Sequence, residues 1–153
     1  GEVDEGRAFL YKGSDAGLSS NASWSAEGGQ TNSQLGFSVS TLGDVNGDGF
    51  SDVIIGANEY DEWESNNGKI FYLRGSTSTG LTPFWSYSWP GPNNLGVSVS
   101  CAGDVNGDGY SDIIAGAHKY SDGESQEGAF LMFYGSPYEF TLGGDDVFAD
   151  WFI

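Results

Sequence analysis

Residues 35–57 read LGFSVSTLGDVNGDGFSDVIIGA, and residues 95–117 read LGVSVSCAGDVNGDGYSDIIAGA. Each stretch places one oxygen-rich loop between two short apolar segments. Aligning residues 35–76 with residues 95–136 needs no gap and gives 23 identities in 42 positions. Because self-similarity over this length is typical of stacked supersecondary units, the repeat predicts how most of the chain is organised.

Both loops have the donor pattern of a site for a hard cation. Side-chain oxygens stand at positions 1, 3, 5 and 9, and glycine at position 6 permits a sharp turn. Calcium takes about six to eight oxygen ligands, and a backbone carbonyl commonly supplies position 7. The sequence predicts two calcium sites, formed by Asp44, Asn46, Asp48, the carbonyl of Phe50 and Asp52, and by Asp104, Asn106, Asp108, the carbonyl of Tyr110 and Asp112. Since each loop has its own donor set, we expect the two sites to be independent.

Two other calcium-loop types and a simple solvated turn are alternatives to this interpretation. An EF-hand requires Glu at position 12 and a helix after the loop, but Ile55 and Ala115 stand there. Short, partly β-branched runs follow both loops and predict buried strands, so the helices of a dockerin module are missing as well. A solvated turn also favours Asp, Asn and Gly. Two copies with identical donor positions favour the metal site.

Composition narrows the class of protein. Twenty-five glycines and 15% aromatic residues, with few helix-forming runs, predict an all-β fold of short strands. A formal charge of −17 argues against nucleic acid or an anionic membrane surface as partner, and no apolar run reaches about 18 residues, which argues against membrane insertion. Cys101 is the only cysteine and His118 the only histidine, so neither an intrachain disulfide nor a catalytic set is identifiable. We therefore predict that the chain is not an enzyme.

The repeat predicts four antiparallel strands per unit. The first strand precedes the loop, the second follows it, the third is an aromatic strand bounded by glycines, and the fourth carries Trp24, Trp85 or, in the segment 148–151, Trp151. Alternation in the first strand, with Phe37 and Val39 against two serines, predicts that one face lies in a core. The expected divisions are residues 1–27, the second half of a unit, followed by complete units at 28–87 and 88–153.

These units resemble the FG-GAP repeats of integrin α-subunit β-propellers and their bacterial relatives. The resemblance rests on Leu35-Gly36, the first loop and Gly56-Ala57, and on the matching residues of the second copy. The family's Phe-Gly is Leu-Gly here, and its Gly-Ala-Pro has Asn58 or His118 in place of proline. The resemblance implies four-stranded blades, calcium in the hairpin loop between the first two strands, and a ring of about seven blades.

With about two and a half blades in this chain, we expect it to be a fragment that missing sequence or a partner chain completes, rather than a self-sufficient monomer. The resemblance implies an extracellular or cell-surface protein that mediates adhesion or binds a protein or glycan ligand. Two alternatives stay open: an accessory propeller of a secreted glycan- or lipid-processing enzyme, and a structural subunit of a surface filament or layer.

The chain has five tryptophans, each a candidate for contact with a ligand. Four of them, Trp24, Trp85, Trp89 and Trp151, occupy places where packing between blades is the favoured interpretation over a sugar-binding platform. Trp63 differs because it lies in the acidic loop 59–67, where the second copy has Gly123. It is the candidate for an exposed ligand contact.

Overall fold

The structure is a computed structural model that describes residues 1–77, 80–137 and 151–152. The described part contains twelve strands and no helix. The strands are β1 Arg7–Leu10, β2 Gly13–Ser14, β3 Gly17–Leu18, β4 Trp24–Glu27, β5 Ser38–Gly43, β6 Asp52–Ala57, β7 Lys69–Ser76, β8 Gly80–Tyr87, β9 Leu95–Gly103, β10 Asp112–Ala117, β11 Ala129–Phe133 and β12 Trp151–Phe152. The all-β prediction is confirmed.

Two four-stranded antiparallel sheets form the two repeat units. Their strand orders are β5-β6-β7-β8 and β9-β10-β11-β12, so each strand pairs with its neighbours in sequence. We call the first sheet blade 1 and the second blade 2. This meander is the arrangement of a β-propeller blade. In the predicted segment 148–151, only the backbone of Trp151 lies within the described residues, and it pairs with Met132.

The first unit contributes only strands of the third and fourth positions. β1 pairs with β4 in an antiparallel ladder, and a small hairpin of β2 and β3 extends beyond it. In blade 1 the corresponding strands, β7 and β8, run unbroken as eight-residue strands. The small hairpin was not predicted. The residue boundaries of the three units stay a prediction.

Consecutive units are joined at equivalent places. Gly6 forms a parallel bridge with Leu35, and Gly68 forms the same bridge with Leu95. The Leu35 N–H donates to the carbonyl of Glu5 at 2.9 Å, and the Leu95 N–H donates to the carbonyl of Asn67 at 3.1 Å. The Leu-Gly motif is therefore the place where each blade attaches to the unit before it.

The core lies between the blades. One buried cluster joins Ile54, Ile70, Tyr72 and Trp85 of blade 1 to residues of blade 2 such as Phe133. The central strands β6 and β10 are buried or half-buried along their whole length, as predicted for strands packed on both faces. The packing interpretation is confirmed for Trp85, which is buried, and for Trp24 and Trp89, which are half-buried and pack against the buried clusters.

The prediction for the apolar face of the first strand was wrong in blade 1. Phe37 and Val39 are 55% and 61% exposed, while Ser38 and Ser40 are half-buried. In blade 2, Val99, the equivalent of Val39, is half-buried and packs against the buried cluster that the two blades share. Among the described residues, the unit before blade 1 has no first or second strand to cover Phe37 and Val39 in the same way. Burial at these positions is thus decided by the neighbouring unit and not by the alternation of the strand itself.

Candidate functional site

The two predicted metal loops occupy equivalent positions in the two blades. In blade 1, Asp44 directly follows β5 and Asp52 begins β6; in blade 2, Asp104 follows β9 and Asp112 begins β10. Each loop therefore closes a hairpin between a first and a second strand. The ladder pins both ends of the loop, so the donors between them are confined to a short, fixed span.

In the first loop, hydrogen bonds within the loop hold the predicted side-chain donors at positions 1, 3 and 5. Oδ1 of Asp44 accepts from the Asp48 N–H at 3.0 Å, and Oδ2 accepts from the Gly49 N–H at 2.9 Å. The Asn46 amide donates to Oδ2 of Asp48 at 2.8 Å, and Oδ1 of Asp48 accepts from the Phe50 N–H. Gly49 has a φ of 87°, a left-handed conformation that glycine adopts without steric cost. The turn therefore depends on glycine at position 6.

The second loop repeats this geometry. Oδ1 and Oδ2 of Asp104 accept from the N–H groups of Asp108 and Gly109 at 3.0 Å and 2.9 Å. The Asn106 amide donates to Oδ2 of Asp108 at 2.8 Å, and the Tyr110 N–H donates to Oδ1 of the same residue. The two sequences thus fold into the same arrangement of donors, with Gly109 at a φ of 93°.

The aspartates at position 9 are buried, and each accepts hydrogen bonds both from its own loop and from a residue at or just after the third strand. Oδ2 of Asp52 accepts from the Val45 N–H at 3.0 Å, and Oδ1 accepts from the Gly75 N–H at 2.9 Å. Asp112 accepts the equivalent bonds from Val105 and Gly135 at 2.8 Å and 2.9 Å. Asp52 therefore fastens its loop to the end of the third strand, β7, and Asp112 fastens its loop to the segment just after the third strand, β11.

Burial raises the pKa of Asp52, and hydrogen bonds from Gly75, Tyr72 and Val45 oppose this shift. The nearby charge of Asp48 adds to the increase. The ionised form of Asp52 is thus less favoured than that of a solvent-exposed aspartate. A cation bound beside it would favour the ionised carboxylate.

The donor set fits a calcium ion in its chemistry. Asp44, Asp48 and Asp52 supply carboxylate oxygens, and Asn46 supplies an amide oxygen, which are the hard ligands that calcium prefers. Each carboxylate oxygen of Asp44 accepts one hydrogen bond from the loop and has a second lone pair. In the described part of the chain, no three His, Cys, Asp or Glu side chains converge as they would around a metal. The carboxylates of Asp52 and Asp112 accept hydrogen bonds from backbone N–H groups and are not gathered with the other aspartates of their loops.

Among the described residues, no ion pair joins a loop aspartate to a Lys or Arg side chain. The ion pairs found among the described residues use Arg7 and Lys69, and their acidic partners are Glu5, Glu27 and Glu62. The loop aspartates take part in none of these pairs. Like charges within one short loop repel each other, and a divalent cation would relieve that repulsion.

Trp63 lies on a fixed and acidic loop. Its side chain is 64% exposed, and Oδ1 of the buried Asn67 accepts from three consecutive N–H groups, those of Glu62, Trp63 and Glu64. Lys69 forms an ion pair with Glu62 at 2.6 Å. The predicted exposure of Trp63 is confirmed, and Asn67 holds the backbone that presents it.

The other candidates do not form a reactive centre. His118 is exposed, and the Cys101 thiol is half-buried and donates to the carbonyl of Leu42 at 3.1 Å. That contact crosses from blade 2 to blade 1, so Cys101 has a packing role. The lack of enzymatic activity stays a prediction.

Sequence reasoning missed three supports of the loops. Tyr72 donates its hydroxyl to Asp52 at 2.8 Å, and Val45 is buried between the blades. Gly75 is required because a Cβ there would lie 2.4 Å from the carbonyl oxygen of Ser51. The same glycine recurs as Gly135, just after the third strand of blade 2, and this recurrence was the available signal.

Comparison with known proteins agrees with this fold. The FG-GAP-like repeat family matches residues 44–115. Integrin alpha-E of Mus musculus is 34% identical over 130 residues, covering 74% of this chain and 11% of its own length. Integrin alpha-PS2 of Drosophila melanogaster is 34% identical over 119 residues, covering 72% of this chain and 8% of its own length.

Integrin alpha-5 of Xenopus laevis is 32% identical over 143 residues, which is 90% of this chain and 13% of the integrin. The chain thus spans about a tenth of the length of these relatives. Within the described residues, no helix is long and apolar enough to span a membrane. The family match, the integrin relatives and the antiparallel blades together establish that the chain belongs to the FG-GAP repeat family.

Proposed function

We propose that this chain is a calcium-binding propeller segment of an extracellular or cell-surface protein that mediates adhesion or ligand binding. The observation that carries the proposal is the repeated loop, with oxygen donors at matching positions between the first two strands of both blades. Asp44, Asn46, Asp48, Asp52 and the carbonyl of Phe50 would hold one ion. Their counterparts Asp104, Asn106, Asp108, Asp112 and the carbonyl of Tyr110 would hold the other.

The role of calcium would be structural. Bound at either loop, it would neutralise carboxylates that repel each other and fix the hairpin between the first and second strands. We expect dissociation constants of about 10⁻⁵–10⁻³ M, a range that runs from the weakest sensor sites to extracellular modules. Magnesium should compete poorly, because its smaller shell demands near-ideal octahedral geometry at shorter distances.

Equilibrium dialysis against radioactive calcium tests this directly. Two ions per chain are expected, with little displacement by an equal concentration of magnesium. The matched control replaces Asp44 and Asp104 together by alanine, which removes the position-1 donor of both loops. Failure of the unaltered chain to bind calcium would overturn the calcium part of the proposal.

Exposed apolar side chains on blade 1 and on the strands before it favour the proposal that the chain is part of a larger assembly. Phe9, Phe37 and Val39 are exposed apolar side chains, and Val39 stands where the equivalent Val99 is packed against a neighbouring blade. Such unpartnered sheet faces favour contact with further propeller sequence or with a partner chain. The integrin relatives support an adhesion-type protein as the setting for that assembly.

We propose Trp63 as a ligand contact because it combines an exposed aromatic face with a fixed backbone. Arrays of glycans and of extracellular proteins should be probed with the chain in calcium and in chelator. Binding that is lost in Trp63→Ala but kept in Tyr11→Ala, another exposed aromatic residue, would support the contact. Equal binding by the two variants would exclude it. Strong binding to one polysaccharide would favour the accessory propeller of a secreted enzyme.

A further inference from the structure

The two predicted calcium loops touch each other across the boundary between the blades. The Ser111 N–H donates to the carbonyl of Asp44 at 3.3 Å, and the Ser136 N–H donates to the carbonyl of Val45 at 3.0 Å. Asp44 is the first donor of the first loop. Ser111 lies between Tyr110 and Asp112, the last two donors of the second loop. The backbones of the two donor sets are therefore one hydrogen bond apart.

Two glycines, one at the end of β5 and one in the first loop, allow this close approach. A Cβ at Gly43 would lie 2.6 Å from Oγ of Ser111, and a Cβ at Gly47 would lie 2.6 Å from the ring of Tyr110. The equivalent glycines of the second loop, Gly103 and Gly107, would meet nothing within 4 Å. The tight fit thus belongs to the contact between the loops and is not a general property of the turn.

Val45 fastens the first loop to blade 2. Its side chain is 1% exposed and belongs to the same core cluster as Leu131 and Phe133, whereas the equivalent Val105 is 51% exposed. The N–H of Val45 donates to Oδ2 of Asp52, the last donor of the first loop. One residue therefore connects the position-9 carboxylate of the first loop to the interior of the second blade.

We infer that the two calcium sites are positively coupled, so that an ion in one loop increases the affinity of the other. This inference rests on the proposed calcium binding. Ordering one loop fixes the carbonyls that receive the Ser111 and Ser136 amides, so less conformational entropy remains to be lost when the second loop binds. The coupling departs from the independence that the sequence alone predicts.

Electrostatics opposes the coupling, because one bound cation makes the neighbouring loop less attractive to another. The loops are largely exposed, and charges in solvent are screened over about 8–10 Å at physiological ionic strength. The hydrogen bonds between the loops are direct contacts and are screened much less. Raising the salt concentration should therefore leave the coupling intact or increase it.

Titration calorimetry on single-site variants measures the coupling. Asp48→Ala removes a donor of the first loop, and Asp108→Ala removes the same donor of the second. In each variant the remaining site should bind calcium about fivefold more weakly than in the unaltered chain. A fivefold change is at the low end of the affinity changes that are typical of coupled binding sites. The two factors must be equal, because coupling between binding sites is reciprocal.

Val45→Ala and Val105→Ala form a matched pair of controls. Val45→Ala should lose the coupling but still bind two calcium ions. Val105→Ala should keep the coupling and still bind two calcium ions. In case Val45→Ala does not fold, amide hydrogen exchange in Asp108→Ala gives a second measurement. Calcium bound at the first loop alone should slow exchange at the Ser111 and Ser136 amides.

Unchanged affinity of the remaining site in both single-site variants, or unchanged exchange at those amides, would overturn the coupling and leave the calcium proposal standing. An unaltered chain that binds no calcium would overturn both.

Discussion

The hydroxyl of Tyr72 donates a 2.8 Å hydrogen bond to Oδ2 of Asp52 in the interior of blade 1. Both residues are buried, and the same carboxylate accepts from the Val45 and Gly75 amides. Blade 2 has Met132 at the position of Tyr72, and its thioether cannot donate a hydrogen bond to Asp112. The two loops thus have the same donors, but only the first has a side-chain hydroxyl that donates to its position-9 aspartate.

Tyr72→Phe should destabilise the protein. Removing a hydrogen bond to a buried carboxylate is expected to lower the free energy of unfolding by about 1.5–3 kcal/mol. Urea unfolding in chelator measures the loss without a contribution from calcium. The control is Met132→Leu, a volume-conserving exchange at the equivalent position that should cost less than about 1.5 kcal/mol. Equal stability of Tyr72→Phe and the unaltered chain would show that the bond contributes nothing.

Stability should fall at alkaline pH. Burial raises the pKa of Tyr87, and burial together with the bond to Asp52 raises the pKa of Tyr72 well above its usual range. Because the folded-state pKa lies above the unfolded value of about 10, the stabilisation is complete below pH 10 and declines as the pH rises beyond it.

Each such tyrosine contributes a slope of up to about 1.4 kcal/mol per pH unit. Urea unfolding at intervals from pH 8 to pH 11.5 measures that slope, and Tyr87→Phe should flatten it. A flat profile for the unaltered chain would contradict the assignment.

Gly68→Ala should disrupt the junction between blades. Gly68 has a φ of 74°, and a Cβ there would lie 2.3 Å from the backbone nitrogen of Leu95 and 2.2 Å from its carbonyl oxygen. Backbone strain and the clash together should cost more than about 2 kcal/mol. Gly13→Ala is the matched control, because a Cβ at Gly13 would meet nothing within 4 Å, and the change should stay within about 0.5 kcal/mol. Similar melting temperatures for the two variants would rule out the junction's dependence on glycine.

The repeat made the strand order of the blades predictable, because 23 identities at a constant offset fix which segments are equivalent. It also located the loops, since a donor pattern is a local property of the chain. Burial was not predictable in the same way. Val45 and Val105 occupy the same place in the motif, yet one is buried and the other exposed. The presence of a neighbouring blade makes the difference, and no local pattern records it.

The motif also could not predict which residues form hydrogen bonds that hold the predicted calcium donors in place. Tyr72 contacts Asp52 from 20 residues away, and Ser111 contacts Asp44 from the next blade. Both contacts depend on the register of the sheet and on the packing of one blade against the other. A sequence pattern can name the donors of a site, but the groups that hold those donors in place come from the folded structure.

Thermal melting in chelator and in calcium is the most direct test of a calcium-stabilised propeller segment. At a calcium concentration about 100 times the dissociation constant, each site should add about 2.7 kcal/mol, provided that the unfolded chain does not bind. For a chain of this size the melting temperature should then rise by roughly 5–10 °C per site. Magnesium at the same concentration should give a much smaller increase, and the Asp44→Ala, Asp104→Ala double variant should give none. An unaltered chain that melts at the same temperature in chelator and at that calcium concentration would contradict a structural role for the two loops.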